Sequence, residues 1–405
     1  MCNNNPEEDA IQFEGVISFL NAEFVEKLVG INSEIPASGE PQRDVEKGVA
    51  EFVEEYLEGI GISAEIIEIE KGRYDLIARV GPSSRLMLNG HMDTVPIGDP
   101  TQWLNGVFPR IQDGKLYGRG SSDMKGGLAA MLAALSRMDF TKANRGILIV
   151  FVADEEGFFK GSEWLFANRS DIFNDVKCGI IAESSSMKIQ AAQKGLIGIQ
   201  VTFEGRSAHA STPEKGDSAI LKAFKFISAM NSFNESRSTI DSLLGKGSLN
   251  IGEIRGGRSQ NTVPDSCVVS VDIRTVPGET SDAIIKEIKK AMEAYGIKDT
   301  DVREMKINYA REPFKLNDDS CALQLLKRIA GTAGLVGGTG YTESELYHSK
   351  AEVDCVVFGP GIKELIHQPN EYVNISDLEK ASEIFEKAIR EWCFGEEDKP
   401  EKLFH

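Results

Sequence analysis

His91 and Asp93 stand two residues apart in LMLNGHMDTVP, directly after the apolar run 86–88. An imidazole placed this way can give one ring nitrogen to a metal while a nearby carboxylate receives the other ring N–H. Asp123 lies in GRGSSDMKGG, where a glycine-rich turn leads into a helical pattern. The spacing matches neither the dinucleotide fingerprint nor a Walker loop, so nucleotide binding there is rejected; a short carboxylate at this point can cap the helix or enter a site. Asp154, Glu155 and Glu156 follow the apolar run 146–153. Three adjacent carboxylates at the mouth of a buried strand repel one another, and a cation relieves that repulsion. Glu183 closes the next apolar run, 179–182, and His367 follows another, 356–358. Each of these groups alone is an ordinary polar residue. Together, two histidines and three carboxylates at expected strand ends make an N/O set suited to two borderline metals such as Zn²⁺, with room for a carboxylate bridge. A co-catalytic metal pair ionises a shared water near neutral pH and polarises an acyl oxygen. One carboxylate must then ligate while another moves protons, and adjacent Glu155 and Glu156 offer both.

Elements must bring these groups to one place. Apolar residues at Val45, Val49, Phe52, Val53, Tyr56 and Leu57 form the stripe of an amphipathic helix over 44–57, with Gly59 expected as its C-cap. Strands are expected at 62–70, 74–80 and 85–89, and a helix over 124–138. The runs 146–153 and 178–182 are continuously apolar, as strands buried on both faces are. Strands alternating with helices predict an α/β layer with a mixed or parallel sheet, and loops at the carboxyl ends of such strands are where sites assemble. Beyond about 194 the texture changes. Ile197, Ile199, Val201 and Phe203 alternate along 196–204, and Cys267, Val269, Val271 and Ile273 do so along 267–274, the pattern of an antiparallel sheet buried on one face. Helical patterns at 217–230 and 281–294 complete a small α+β domain. The α/β pattern resumes with a helix near 319–333, a strand at 353–358 and a last helix from Ser376, where Ser376 and Glu379 have capping-box spacing. The expected organisation is a discontinuous α/β domain, 1–193 and 310–405, interrupted by an inserted α+β domain, 194–309.

The chain has 405 residues and a net charge of −18, so neither nucleic acid nor an anionic membrane is an expected partner. Its longest apolar runs fall far short of the roughly 18 residues a membrane span needs. The N-terminal MCNNNPEEDA lacks the basic and apolar regions of a signal peptide, which predicts a cytoplasmic protein. Six scattered cysteines without C-x-x-C spacing are expected to be reduced core residues. In so acidic a protein an anionic substrate needs a local cation. Arg274, beside Asp272 on the polar face of its expected strand, supplies a carboxylate-binding fork.

From about Asn21 to Trp392 the chain resembles the co-catalytic zinc metallopeptidase family of acetylornithine deacetylase, succinyl-diaminopimelate desuccinylase, aminoacylase and related carboxypeptidases. GHMDTVP, LYGRGSSDMKGG, VADEEG, GRSAHASTP, NTVPDSC, VDIRTVPG and HQPNEY all occur in the family's order. The resemblance implies two Zn²⁺, replaceable by Co²⁺ or Mn²⁺, with His91 and Glu183 on one, Glu156 and His367 on the other, and Asp123 bridging. It implies that Asp93 orients His91, that Glu155 is the general base and that His209 stabilises an oxyanion across a homodimer interface. It further implies that Asn261 and Arg274 contact substrate, and that the inserted domain is a ferredoxin-like lid and dimerisation domain on a three-layer catalytic domain. The implied activity is hydrolysis of N-acyl amino acids; alternatives are a carboxypeptidase or dipeptidase with the same site, or a catalytically silent binding protein. Two segments depart from the family pattern. AESSSM around Glu183 replaces Gly-Glu-Pro-Thr, and GGTGYTESELY (337–347) replaces the Gly-Thr-Ser-Asp pattern, so the acyl and side-chain pockets are not carried over.

Overall fold

The structure is a computed structural model that describes residues 22–36, 44–104, 106–331 and 334–395. The N-terminal segment read for export signals, Asn21, Cys2 and His405 lie outside the described residues, as does the end of the helix expected to reach 333. The chain forms two compact units. One contains 22–189, 318–331 and 346–395 of the described residues; the other contains Gln190–Asn317 and Gly334–Glu345. The second unit thus runs past the expected limit near 309 and takes in a later segment as well.

In the first unit the strands lie in the order Ala64–Glu70, Arg73–Val80, Ile147–Val152, Arg85–His91, Val176–Ile181 and Cys355–Val357. The first two pairings are antiparallel and the last three parallel, which makes the sheet mixed. All six residues of Ile147–Val152 are buried, which explains the unbroken apolar run. Helix Lys125–Leu135 is buried along its whole length and packs against helices Ala22–Gly30 and Ile375–Phe394. A helix covered on every side needs no polar face, and its sequence KGGLAAMLAAL has almost none.

Three expectations are corrected in this unit. Helix Lys47–Gly59 includes Gly59; the residue with left-handed backbone is Gly61 at φ +80°, where the chain turns toward the first strand. The last helix starts at Ile375 with Asn374 as N-cap and no side-chain cap, so no Ser376–Glu379 box forms. Its entry is set one residue early by strand Tyr372–Asn374, paired with Lys115–Tyr117, and by the Ile375 N–H donated to the Gly114 carbonyl at 2.9 Å. Cys178 and Cys321 are joined in a disulfide across 143 residues, tying strand Val176–Ile181 to helix Cys321–Ala330, so these two are not reduced. Cys267, Cys355 and Cys393 are buried and lie outside this disulfide.

The second unit holds an antiparallel sheet ordered Ser248–Gly256, Ser266–Thr275, Gly195–Glu204, Val302–Arg311. Ile197, Ile199, Val201, Phe203 and Cys267, Val269, Val271, Ile273 form its buried face, under helices Ala219–Ser236 and Ser281–Ala294. Period-two burial on one face and two amphipathic helices make this a separate core.

Candidate metal centre

Four of the five sequence-predicted ligands follow the carboxyl ends of parallel strands in the first unit. His91 ends Arg85–His91, Glu156 follows Ile147–Val152, Glu183 follows Val176–Ile181, and His367 lies in the segment after Cys355–Val357. Asp123 sits two residues before helix Lys125–Leu135. That helix can approach the sheet because a Cβ on Gly127 would run into the carbonyl oxygen of Ala182, the residue before Glu183. Only hydrogen fits there, and Asp123 and Glu183 are brought to one point.

Two ligand groups result: His91, Asp123 and Glu183, all buried, and Asp123, Glu156 and His367. Within each, the ligand atoms lie within 4.8 Å of one another. His91 Nδ1 lies 2.9 Å from the Asp93 main-chain carbonyl, which can only accept, so Nδ1 carries the hydrogen. Nε2 then faces Asp123 Oδ1 and Glu183 Oε1, each at 3.0 Å. A bare nitrogen lone pair aimed at two carboxylate oxygens is tolerated when a cation lies among them, either a proton or a metal. His367 Nε2 makes the matching approach to Asp123 Oδ2 at 3.4 Å and Glu156 Oε2 at 2.9 Å. The two oxygens of Asp123 therefore face different groups, as a bridge requires. The donor set fits two divalent ions of the N/O-preferring kind.

The electrostatics agree with a site built for cations. Burial opposes charge on His91, yet its contacts with Asp123, Asp93 and Glu183 hold its pKa well above the usual imidazole value. Asp123 and Glu156 push His367 up to about 10. Burial, then the charge of Asp123, push Glu156 up to about 7. Burial works against ionised Asp123, but His367 and His91 hold it well below the carboxylate range. Each shift favours positive charge between the imidazoles and the carboxylates, whether a proton or a metal supplies it.

Asp93 is fully buried, but its carboxylate is 3.6 Å from His91 Nδ1, so the ring is oriented by its main chain rather than by its side chain. The carboxylate instead accepts the N–H of Glu155 at 3.2 Å and of Glu156 at 3.1 Å, fixing the acidic loop against the His91 loop. Asp154 and His367 both have left-handed backbone, at φ +62°, a conformation non-glycine residues hold mainly where surroundings impose it.

Several supporting residues carried no signal in the sequence reading. Arg73, fully buried, donates to Glu46 and Asp154, and so grips the start of the acidic loop. Its partners stand 27 and 81 residues away, beyond any local pattern. Glu371 accepts the N–H of Ser122 at 2.8 Å and of Asp123 at 3.1 Å. It lies inside HQPNEY, four residues after His367, and that offset was the available clue. Lys125 donates to the Ile31 carbonyl at 2.6 Å, and burial pushes its ammonium down to about 7 against the pull of Glu371, Glu34 and Asp93.

His209, Asn261 and Arg274 belong to the second unit. His209 and Thr262 form a β-bridge and the Ala210 N–H donates to the Asn261 carbonyl at 3.0 Å, so GRSAHASTP and NTVPDSC lie side by side. The Ser211 N–H donates to His209 Nδ1 at 3.2 Å, which leaves the hydrogen of the neutral ring on Nε2. Arg274 is engaged by its strand neighbour: Nε and Nη2 donate to the two carboxylate oxygens of Asp272 at 2.8 and 3.4 Å.

Residues 87–391 match the peptidase family M20/M25/M40. The chain belongs to that family. It is 28% identical to the acetylornithine deacetylase of Pectobacterium carotovorum over 349 residues, 83% of this chain and 88% of the relative. To the probable succinyl-diaminopimelate desuccinylase of Staphylococcus aureus it is 29% identical over 385 residues, 84% of this chain and 91% of the relative. Its fold is similar to that of an M20-family metallo-carboxypeptidase from Sulfolobus solfataricus, with a TM-score of 0.75 and 19% identity over 91% of this chain and 98% of that one. As an M20/M25/M40 family member the chain is a hydrolase of amide bonds with a candidate metal-binding cluster of histidines and carboxylates.

Proposed function

We propose that this chain hydrolyses the amide bond of N-acyl amino acids, of the deacetylase or desuccinylase kind, with two Zn²⁺ per subunit held by His91, Asp123, Glu183, Glu156 and His367. Co²⁺ or Mn²⁺ would satisfy the same donors. The observation that carries the reading is Asp123, whose two oxygens face the two histidine–glutamate pairs. The long alignments with a deacetylase and a probable desuccinylase support the acyl-amino-acid class.

Bound ions would polarise the acyl oxygen and acidify water. Glu155, beside the ligand Glu156 on a loop fixed by Asp93, takes the water's proton and returns it to the leaving amine. His209 donates its Nε2 hydrogen to the oxyanion, and the Ser211 contact keeps that hydrogen in place. Asn261, beside His209, binds substrate. Arg274 holds the substrate carboxylate, for which it must share or leave Asp272.

The active unit in this reading is a homodimer formed through the second unit. Leu221 and Phe224, each 65% exposed on helix Ala219–Ser236, and Ile254, 52% exposed on edge strand Ser248–Gly256, form apolar surface on a helix face and a sheet edge. A second copy of the chain can cover both by two-fold pairing. The test is a screen of N-acetyl and N-succinyl amino acids beside dipeptides, with liberated amine as the readout. Turnover of the acylated series with little dipeptide cleavage is expected. Dipeptides cleaved in preference would replace this reading with a peptidase.

A further inference from the structure

The Asp123, His367 and His91 loops are all touched by one buried ion pair. Arg119 Nη1 donates to Glu371 Oε2 at 2.6 Å and to the Gln368 carbonyl, beside His367, at 3.3 Å. Arg119 Nη2 donates to the Pro96 carbonyl, on the loop of His91 and Asp93, at 3.3 Å. The other carboxylate oxygen of Glu371 takes the N–H groups of Ser122 and Asp123. Strand Tyr372–Asn374 pairs with Lys115–Tyr117, and the Gly118 N–H donates to the Glu371 carbonyl at 3.0 Å, so backbone pairing holds the two charged residues together. Trp103 covers the guanidinium, its ring centre 5.4 Å away. Such a fork, with each arm on a different loop, cannot be replaced by an ammonium.

We propose that Arg119 and Glu371 are positioning residues that set the spacing of Asp123 from His367 and His91, and so govern retention of the shared-ligand metal pair. Neither residue belongs to either ligand group among the described residues; Glu371 acts through the main chain of Ser122 and Asp123, and Arg119 through that of Gln368 and Pro96. This inference rests on the two-metal reading above.

The test titrates metal-free protein with Co²⁺ alone and follows its visible absorption, comparing wild type with Glu371→Gln and Arg119→Lys. Glu371→Gln keeps an oxygen for the two N–H donors but loses the charge facing Arg119. Arg119→Lys keeps the charge but loses the fork, and serves if the first variant fails to fold. Replacing residues that orient metal ligands typically weakens binding about 10- to 100-fold. A loss of that size is expected for at least one of the two equivalents, with an altered Co²⁺ spectrum and the unfolding temperature of the metal-free protein little changed. Wild-type affinities and spectrum in both variants, with or without a fall in unfolding temperature, would overturn the inference. Failure of the wild-type protein to bind two equivalents would instead overturn the two-metal reading.

Discussion

At the scale of single residues, Glu155 and Glu156 are neighbours with different tasks. Glu156 faces His367 at 2.9 Å and belongs to a ligand group, whereas the two ligand groups found among the described residues do not include Glu155. Glu155→Gln is therefore expected to keep both metals and lose about 10²- to 10⁴-fold of activity, the usual worth of a general base. Loss of metal from this variant, measured by elemental analysis, would reverse the two roles. The imidazoles lead to a second expectation. His367 is held up to about 10, so at pH 8 its ring carries a proton that metal must displace. Calorimetry in buffers of different ionisation heat should show proton release on metal binding at pH 8, of about one proton from His367, falling as the pH rises through about 10. For His367 the stabilisation that protonation gives the metal-free fold is fully present below its unfolded value near 6.5 and lost as pH rises through 10. No release at pH 8 would mean that the His367 ring is neutral without metal. Four of the five candidate ligands were legible because each follows an apolar run, and Asp123 because a glycine-rich turn places it at the start of a helical pattern. The partner of Asp93 was not: whether a ring meets a carboxylate or the carbonyl of the same residue depends on backbone angles. Nor was the Arg274–Asp272 pair, although the alternation of their strand puts both on one face.

Among the elements, the continuous apolar runs and the alternating ones announced their burial, because a strand covered on two faces and one covered on one face cannot share a pattern. Caps were read less well. The Ser376–Glu379 spacing was present, but strand pairing just before it fixed where the helix began, and local side-chain capping lost to tertiary context. The same limit hid the Glu46–Arg73–Asp154 group, whose members come from three separate segments. Asp154 lies at the turn out of strand Ile147–Val152, and its carbonyl accepts the N–H groups of Gly157, Phe158 and Phe159. Removing the guanidinium strands two buried carboxylates below the acidic loop. Arg73→Met should therefore cost about 3–5 kcal/mol, the usual range for breaking a buried ion pair from one side, read as a lower urea midpoint. A midpoint within error of wild type would show that Glu46 and Asp154 find other partners.

For the whole molecule, the expected two-part organisation was legible from the switch between buried-strand and alternating-strand texture near residue 194, whereas the return of Gly334–Glu345 to the second unit was not, since no change of pattern marks it. The proposed division of labour follows from that organisation: the five metal-binding candidates lie in the first unit, and His209, Asn261 and Arg274 in the second. An oxyanion donor must come within about 3 Å of the reacting oxygen, so His209 serves either its own chain's site or that of a second copy. Apolar Leu221, Phe224 and Ile254 on the surface of the unit that bears His209 favour the second copy. Mixing two inactive variants, His209→Ala and Glu155→Ala, under conditions that allow subunit exchange separates these cases. With His209 acting across the interface, each heterodimer has one site whose Glu155 and incoming His209 are both wild type, and its other site lacks both. At equal mixing, half of the dimers are heterodimers, so activity near one quarter of the wild-type specific value is expected. With His209 acting within its own chain, every site in every dimer lacks one of the two groups. Proven exchange without recovered activity would exclude action across the interface.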